Sequence, residues 1–342
     1  MDMRKLATIR NIDALRPIPD ADEIECAIIG GWTVVVRKGE FKVGDAAIYC
    51  EIDSWIPNEI APYLSKGQEP REFDGIKGER LRTRKLRGQL SQGILLNYQE
   101  FPNVVEAFNE TQPASNEPFD VTALLGIRKY EPPIPAQIAG EVRGLFPGFM
   151  PKTDQERIQN LTEEYREWGE LTWEITEKLE GTSMTVYVTD DDTGVCSRNL
   201  NLRETENNTL WQVAHRDQII TAIVDSGKNL AIQGELVGEG IQSNIYKLRG
   251  QSFYVFDIYD IKGGKYLTPV ERRNFCELNQ LLHVPVLATD APTQPYDIIL
   301  PGAEGKSVLN ELTEREGIVY KCNEKETSFK AVSNKFLLKT GN

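Results

Sequence analysis

The sequence predicts an α+β protein in two parts, a small β-barrel ahead of a larger domain built mainly on antiparallel sheets. Three observations carry that prediction. From about residue 4 to 98, short strand-like runs alternate with turn signals. Proline and glycine then crowd the segment IRKYEPPIPAQIAGEVRGLFPGFMP, with Pro132, Pro133, Pro135, Pro147 and Pro151, a density of breakers that reads as a linker. Beyond it, strand-like and helix-like stretches mix to the end. The expected boundaries are a first domain over 1–126, a linker over 127–150 and a second domain over 151–342.

In the first domain the strands expected are LATIRNI, IECAII and WTVVV on either side of a Gly30-Gly31 hairpin turn, AIYCEI, RLRTRKLRG and QGILLN. The second domain opens with TDQERIQNLTEEYREWG, whose helical spacing predicts a helix capped by Thr153 or Asp154. Strands are expected at WEITEKLEG, TSMTVYV, NLAIQGELV, SFYVFDIYD, GIVYKC and SFKAV, and helices from Thr209 to Val224 and from Val270 to Leu282.

Composition narrows the function. With 39 basic and 52 acidic side chains the net charge is −13, which excludes an indiscriminate nucleic-acid coat but permits a local basic groove. No apolar run approaches the ~20 residues of a membrane helix, and MDMRKLATIRNIDALRP lacks the features of a signal peptide. A cytoplasmic monomer with no membrane partner is expected. Five scattered cysteines without a CxxC pair predict buried, reduced thiols and no zinc. Only His215 and His283 are present, so catalysis must rest on lysine, arginine and carboxylates.

Lys178 lies in EITEKLEGTSMTVYV, just before Gly181. Burial disfavours an ammonium, and the neutral amine is a nucleophile. Alone, Lys-x-x-Gly is a weak signal, since a solvated hairpin lysine is commoner. It is followed in order by SRN with Arg198, GELVGEG with Glu235, VFDIYD with Phe256, EREGIVYK with Glu316, and SFKAVSNKF with Lys330. This ordered series resembles the covalent nucleotidyltransferases, and the forms FDIYD, EGIVYK and SFK resemble RNA ligases of the RNA ligase 2 type. The segment FMPKTDQERIQNL after a β domain is similar to the Deinococcus-type group, in which an OB-like module precedes the nucleotidyltransferase domain.

The resemblance implies an ATP-dependent RNA ligase that joins 3′-OH and 5′-phosphate ends, using ATP with Mg²⁺ or Mn²⁺. It assigns Lys178 as the nucleophile that takes AMP and Glu316 to the metal or its water shell. Glu235 goes to the ribose hydroxyl, Phe256 to stacking on adenine and Glu177 to the adenine amino group. Arg198, Arg157 and Lys330 go to phosphate oxygens. The pattern departs from the family where Val332 stands in place of a second lysine, so Lys335 replaces that cation only if the strand ends or bends first. It departs again at Ser183, where an asparagine is usual. An ATP-dependent DNA ligase and a non-catalytic nucleic-acid-binding relative are the alternatives.

Residues 77–87 hold six basic side chains against Glu79 alone, a local charge of +5. Arg80, Arg82, Arg84, Lys85 and Arg87 are the candidates for gripping nicked or broken RNA, an RNA/DNA hybrid included. The bland alternative is an edge strand guarded by charge. With Leu81 and Leu86 interleaved, part of this strand is expected to pack into the barrel.

Overall fold

The computed structural model describes residues 4–113, 117–131 and 141–340. The chain divides into two compact units, Met1–Pro133 with Leu337–Asn342, and Ile134–Phe336. Much of the Pro/Gly-rich segment, residues 132–140, lies outside the described residues. Its described flanks are short strands: Arg128–Lys129 pairs with Ser54–Pro57, and Val142–Leu145 with Leu200–Leu202.

The first unit is made of small antiparallel sheets. Ala7–Asn11 and Ala46–Cys50 form the centre of one, flanked by Ile94–Leu96 and Phe119–Asp120. Ile24–Ile29 and Trp32–Arg37 form the hairpin expected at Gly30-Gly31, with Ile29 paired to Trp32 and Gly30 at φ 54°. Ile9, Ile48, Cys50, Ile56, Leu81 and Val104 close the core.

The RLRTRKLRG stretch is not one strand. Ile76–Arg80 ends on its first residue, Leu81 enters the core, and Arg84–Leu86 pairs with Gln89–Ser91 in a separate hairpin. Arg87 and Gly88 form its two-residue turn with φ values of 46° and 82°, the backbone that such tight hairpins demand. Leu86 is exposed, so the expectation that it packs inward fails there; the hairpin is anchored instead by its returning strand, where Leu90 O and Ser91 Oγ accept from Thr33 Oγ1 and Val35 N.

The second unit contains two sheets. The seven-stranded sheet runs Val142–Leu145, Leu200–Leu202, Thr193–Ser197, Thr182–Val188, Leu230–Gly238, Gln251–Asp260 and Lys265–Tyr266. Met184, Val186, Ile232 and Ile258 from one face pack with Trp211, Ala214, Ile219, Ile223 and Cys276 of three helices, Thr209–Arg216, Ile219–Asp225 and Pro269–Leu278. The expected single helix over 209–224 is broken by Gln218 at φ 53°.

The five-stranded sheet runs Glu156–Arg157, Ser328–Val332, Gly317–Cys322, Thr172–Lys178 and Val286–Pro292. Trp173, Ile318, Tyr320, Phe329 and Ala331 bury one of its faces with Ile158, Tyr165 and Trp168. The helix expected over TDQERIQNLTEEYREWG is largely absent. Glu156–Arg157 pairs in parallel with Phe329 and Lys330, a 3-10 turn covers Ile158–Asn160, and only Thr162–Arg166 is helical. Sheet pairing to a distant strand satisfies the backbone that the helix would have used. All five cysteines are free and buried, and no described helix is long and apolar enough to cross a membrane.

Candidate active site

Strand register decides which side chains share the cleft. Lys178 is paired with Gly317, Gly317 with Val332, and Val319 with Lys330, which in turn pairs with Arg157. Alternation along strands puts Lys178, Lys321, Lys330 and Val332 on the face opposite Ile318, Tyr320, Phe329 and Ala331, the face that forms the apolar core. Lysines therefore line the open face.

Lys178 ends its strand, and its Nζ donates to Glu316 Oε1 at 2.5 Å. Both side chains remain partly exposed, at 26% and 17%. Gly181 lets the next strand come close: a Cβ there would lie 2.3 Å from Leu236 O and 3.1 Å from Glu235 Cγ. Gly317 does the same on the other side, with Ala331 O at 2.3 Å from its would-be Cβ. No side chain fits at either position.

Glu235 pairs with Ser183 across the seven-stranded sheet. Burial pushes its carboxyl up to about 8; Lys178 and Arg198 pull against that while Glu316 and Glu180 add to it. Glu180 is itself raised by burial and by Glu316. Three carboxylates thus crowd the amine. The Ser183 Oγ lies 2.9 Å from Thr153 Oγ1.

Glu177 is buried, and burial raises its carboxyl while Ser307 and the Val308 N–H hold it back. Oε2 accepts from Val308 N at 2.8 Å, and Oε1 is a buried acceptor without a hydrogen-bond partner among the described residues. Phe256 departs from simple strand alternation, which would put it on the face of Ile258. Gln233 pairs with Asp257 but the next residue, Gly234, pairs with Val255, so Phe256 is the extra residue of a β-bulge. Ile258 and Val255 stay in the helix-covered core, whereas Phe256 joins Leu179, Val237, Tyr246 and Val284.

The phosphate candidates gather around a residue outside the predicted set. Asp154 accepts from Lys330 Nζ at 2.7 Å and from Arg198 Nη2 at 3.1 Å. Lys330 and Arg157 are buried, and Arg198 is half-exposed. Lys335 is elsewhere: it sits on the helix Asn334–Thr340, exposed, with its Nζ 2.6 Å from Glu304 Oε2. Val332 is buried beside Lys330's strand position.

A second charged group was missed altogether. Lys321 Nζ is ion-paired with Asp257, donates to the Phe256 carbonyl at 2.6 Å and lies 5.8 Å from the Phe256 ring centre. Burial pulls its ammonium down to about 8, with Asp257 opposing and Arg272 reinforcing the shift. Arg272, fully buried, pairs with Glu174 and Asp257 and donates from Nε to His283 Nε2 at 2.9 Å. Burial, then Arg272, holds His283 down to about 3, so the neutral ring donates from Nδ1 to Val284 O at 2.7 Å. This network joins the two sheets behind Phe256. Of its signals, only the Lys321 in EGIVYK was visible locally.

Among the described residues no three His, Cys, Asp or Glu side chains form a ready metal cage. The oxygen donors of Glu316 and Glu180 suit an ion that keeps waters.

In the first unit, Lys77 is paired with Glu69 at 2.9 Å and Arg80 with Asp53 at 2.6 Å. Arg80 also lies 4.8 Å from the Tyr130 ring centre. Arg84, Lys85 and Arg87 are exposed on the hairpin, and burial plus Arg80, Arg84 and Arg71 lower the guanidinium of Arg82. The charge of that stretch is therefore partly neutralised at its base and concentrated at its tip.

The RNA ligase family matches residues 171–336, and an OB-fold domain family matches 6–98. No curated protein matches the chain. Solved structures of an RNA ligase from Naegleria gruberi do. A variant with ATP and Mn is 46% identical over 99% of this chain and 100% of that one, with a TM-score of 0.89. A variant with AMP and Mn is 46% identical over 98% of each chain, with a TM-score of 0.88. The same ligase with PPi is 47% identical, again over 98% of each and with a TM-score of 0.88.

Proposed function

The chain belongs to the RNA ligase family, and from that premise we propose that Lys178 is its nucleophile and that the cleft between the two sheets holds ATP. It is an ATP-dependent RNA ligase working through a covalent AMP intermediate. The observation that carries the assignment is the Lys178 amine at a strand end, aimed by Glu316 at 2.5 Å beside Glu235.

In the first step Nζ attacks the α-phosphorus, an N–P bond forms as the bond to pyrophosphate breaks, and the amine gives up its proton. Arg198, Lys330 and Arg157 hold phosphate oxygens, because such transfers depend on positioning and on stabilising spread charge. Phe256 lies under the adenine, lifted out of the core by its bulge. The orphaned Glu177 Oε1 accepts from the base amino group, and Glu235, its carboxyl raised by burial, meets the ribose. A divalent ion held by Glu316 and its neighbouring carboxylates would neutralise charge on the phosphates. AMP then passes to a 5′-phosphate, and a 3′-hydroxyl displaces it. The basic hairpin supplies the grip on a nicked RNA duplex, an RNA/DNA hybrid included, and Lys335 reaches the nucleotide only if it leaves Glu304.

The test is incubation with α-labelled ATP and Mg²⁺ or Mn²⁺. The expected result is acid-stable label on the wild type and none on Lys178→Ala. A wild type that stays unlabelled, or a variant labelled equally, rejects the covalent assignment and favours a non-catalytic binding protein.

A further inference from the structure

Lys330 stands on the five-stranded sheet and Arg198 in the turn between two strands of the seven-stranded sheet, and the Asp154 carboxylate joins them, Oδ1 to the lysine and Oδ2 to the arginine. Two oxygens on one centre, gripped by an ammonium and a guanidinium, reproduce what these side chains offer a phosphate. The residues around Asp154 are tied down independently. Pro151 O accepts from Gln233 at 2.9 Å, Thr153 meets Ser183, Gln155 Nε2 lies 3.5 Å from Asp257 Oδ2, and the Arg157 backbone is paired with the Lys330 strand. Asp154 also lines a cavity of about 650 Å³ whose wall mixes lysines with carboxylates, among them Lys152, Lys321, Glu156 and Glu324. The carboxylate has room to turn while its main chain stays put.

We propose that Asp154 is an internal stand-in for phosphate, which holds Lys330 and Arg198 and competes with pyrophosphate for them. This rests on the nucleotidyl-transfer reading above. As ATP binds, its phosphates displace the carboxylate. Once the Lys178 N–P bond has formed and the bond to pyrophosphate has broken, Asp154 retakes both cations and disfavours rebinding. The reverse step, in which pyrophosphate attacks the lysyl-AMP phosphorus, releases ATP and returns the amine, is suppressed by the same competition.

The experiment labels the full chain with α-labelled ATP, removes free nucleotide, and titrates pyrophosphate with Mg²⁺ while following loss of label. Asp154→Asn should need about tenfold less pyrophosphate for half-removal, the scale of removing one charge-assisted pair that competes with the ligand. Asp154→Ala carries the same expectation should the asparagine variant melt early, and Asp154→Glu should behave closer to wild type. Glu326→Gln, an acid on the same cavity wall that bonds Tyr266 N instead, should match wild type. Calorimetric binding of pyrophosphate to unlabelled protein gives the same comparison without the covalent step. A wild type that takes no label fails the proposed activity, whereas the binding shift still judges Asp154. An unchanged or higher pyrophosphate requirement in Asp154→Asn, or an equal shift in Glu326→Gln, overturns the proposal; a merely structural aspartate would lose affinity on removal, not gain it.

Discussion

Burial lifts the Glu235 carboxyl from an ordinary 4.5 to about 8, which favours its protonated form at neutral pH. Between those values the folded chain binds more protons than the unfolded one, so this residue's contribution to stability falls as pH rises through the window and is flat above about 8. Glu235→Gln removes the titration. Thermal melts from pH 5 to 9 should show the wild type losing ground to the variant up to about pH 8; parallel curves would deny the buried acid. At this scale the sequence was informative where chemistry is local. A lysine followed by a close-packed glycine, or Glu316 just before a strand, declares itself within a few residues. Asp154 and Lys321 do not, since their partners lie 176 and 65 positions away and an isolated Asp or Lys usually means only a solvated surface.

Strand pairing turns those residues into a site. At Gly181 an added methyl would meet the backbone oxygen of Leu236, an atom that cannot move without parting two strands. Gly181→Ala should therefore destabilise the protein by about 1–3 kcal/mol and also cut lysyl-AMP formation. Urea unfolding alongside label uptake checks both, and a variant of wild-type stability would show that the strands yield. Strand positions were legible from alternation and turn chemistry, and so was the α+β class. Two features were not. The Phe256 bulge inserts a residue that no periodicity marks, and the Arg157 segment has helical spacing but takes its backbone partners from a strand near the other end of the chain. In each case a long-range interaction outweighs a local preference.

Over the whole molecule, a charge of −13 pushes nucleic acid away except where cations are concentrated. The hairpin of Arg84, Lys85 and Arg87 is such a place, with exposed tips and Lys77 and Arg80 already paired beneath it. Reversing these three to Glu should weaken binding to nicked RNA and flatten its dependence on log salt by about 0.9 for each duplex phosphate that the hairpin no longer neutralises. Label uptake from ATP should be spared, because nothing in that step needs the hairpin. Equal slopes across a salt series would remove the hairpin from the RNA face. The buried cysteines have a consequence of another kind. Oxidants and alkylating reagents attack the thiolate, and burial pushes Cys50, Cys196 and Cys276 up to about 12. At neutral pH these sulfurs offer almost no reactive form, and the chemistry of the site, built on amine and carboxylate, makes no use of them.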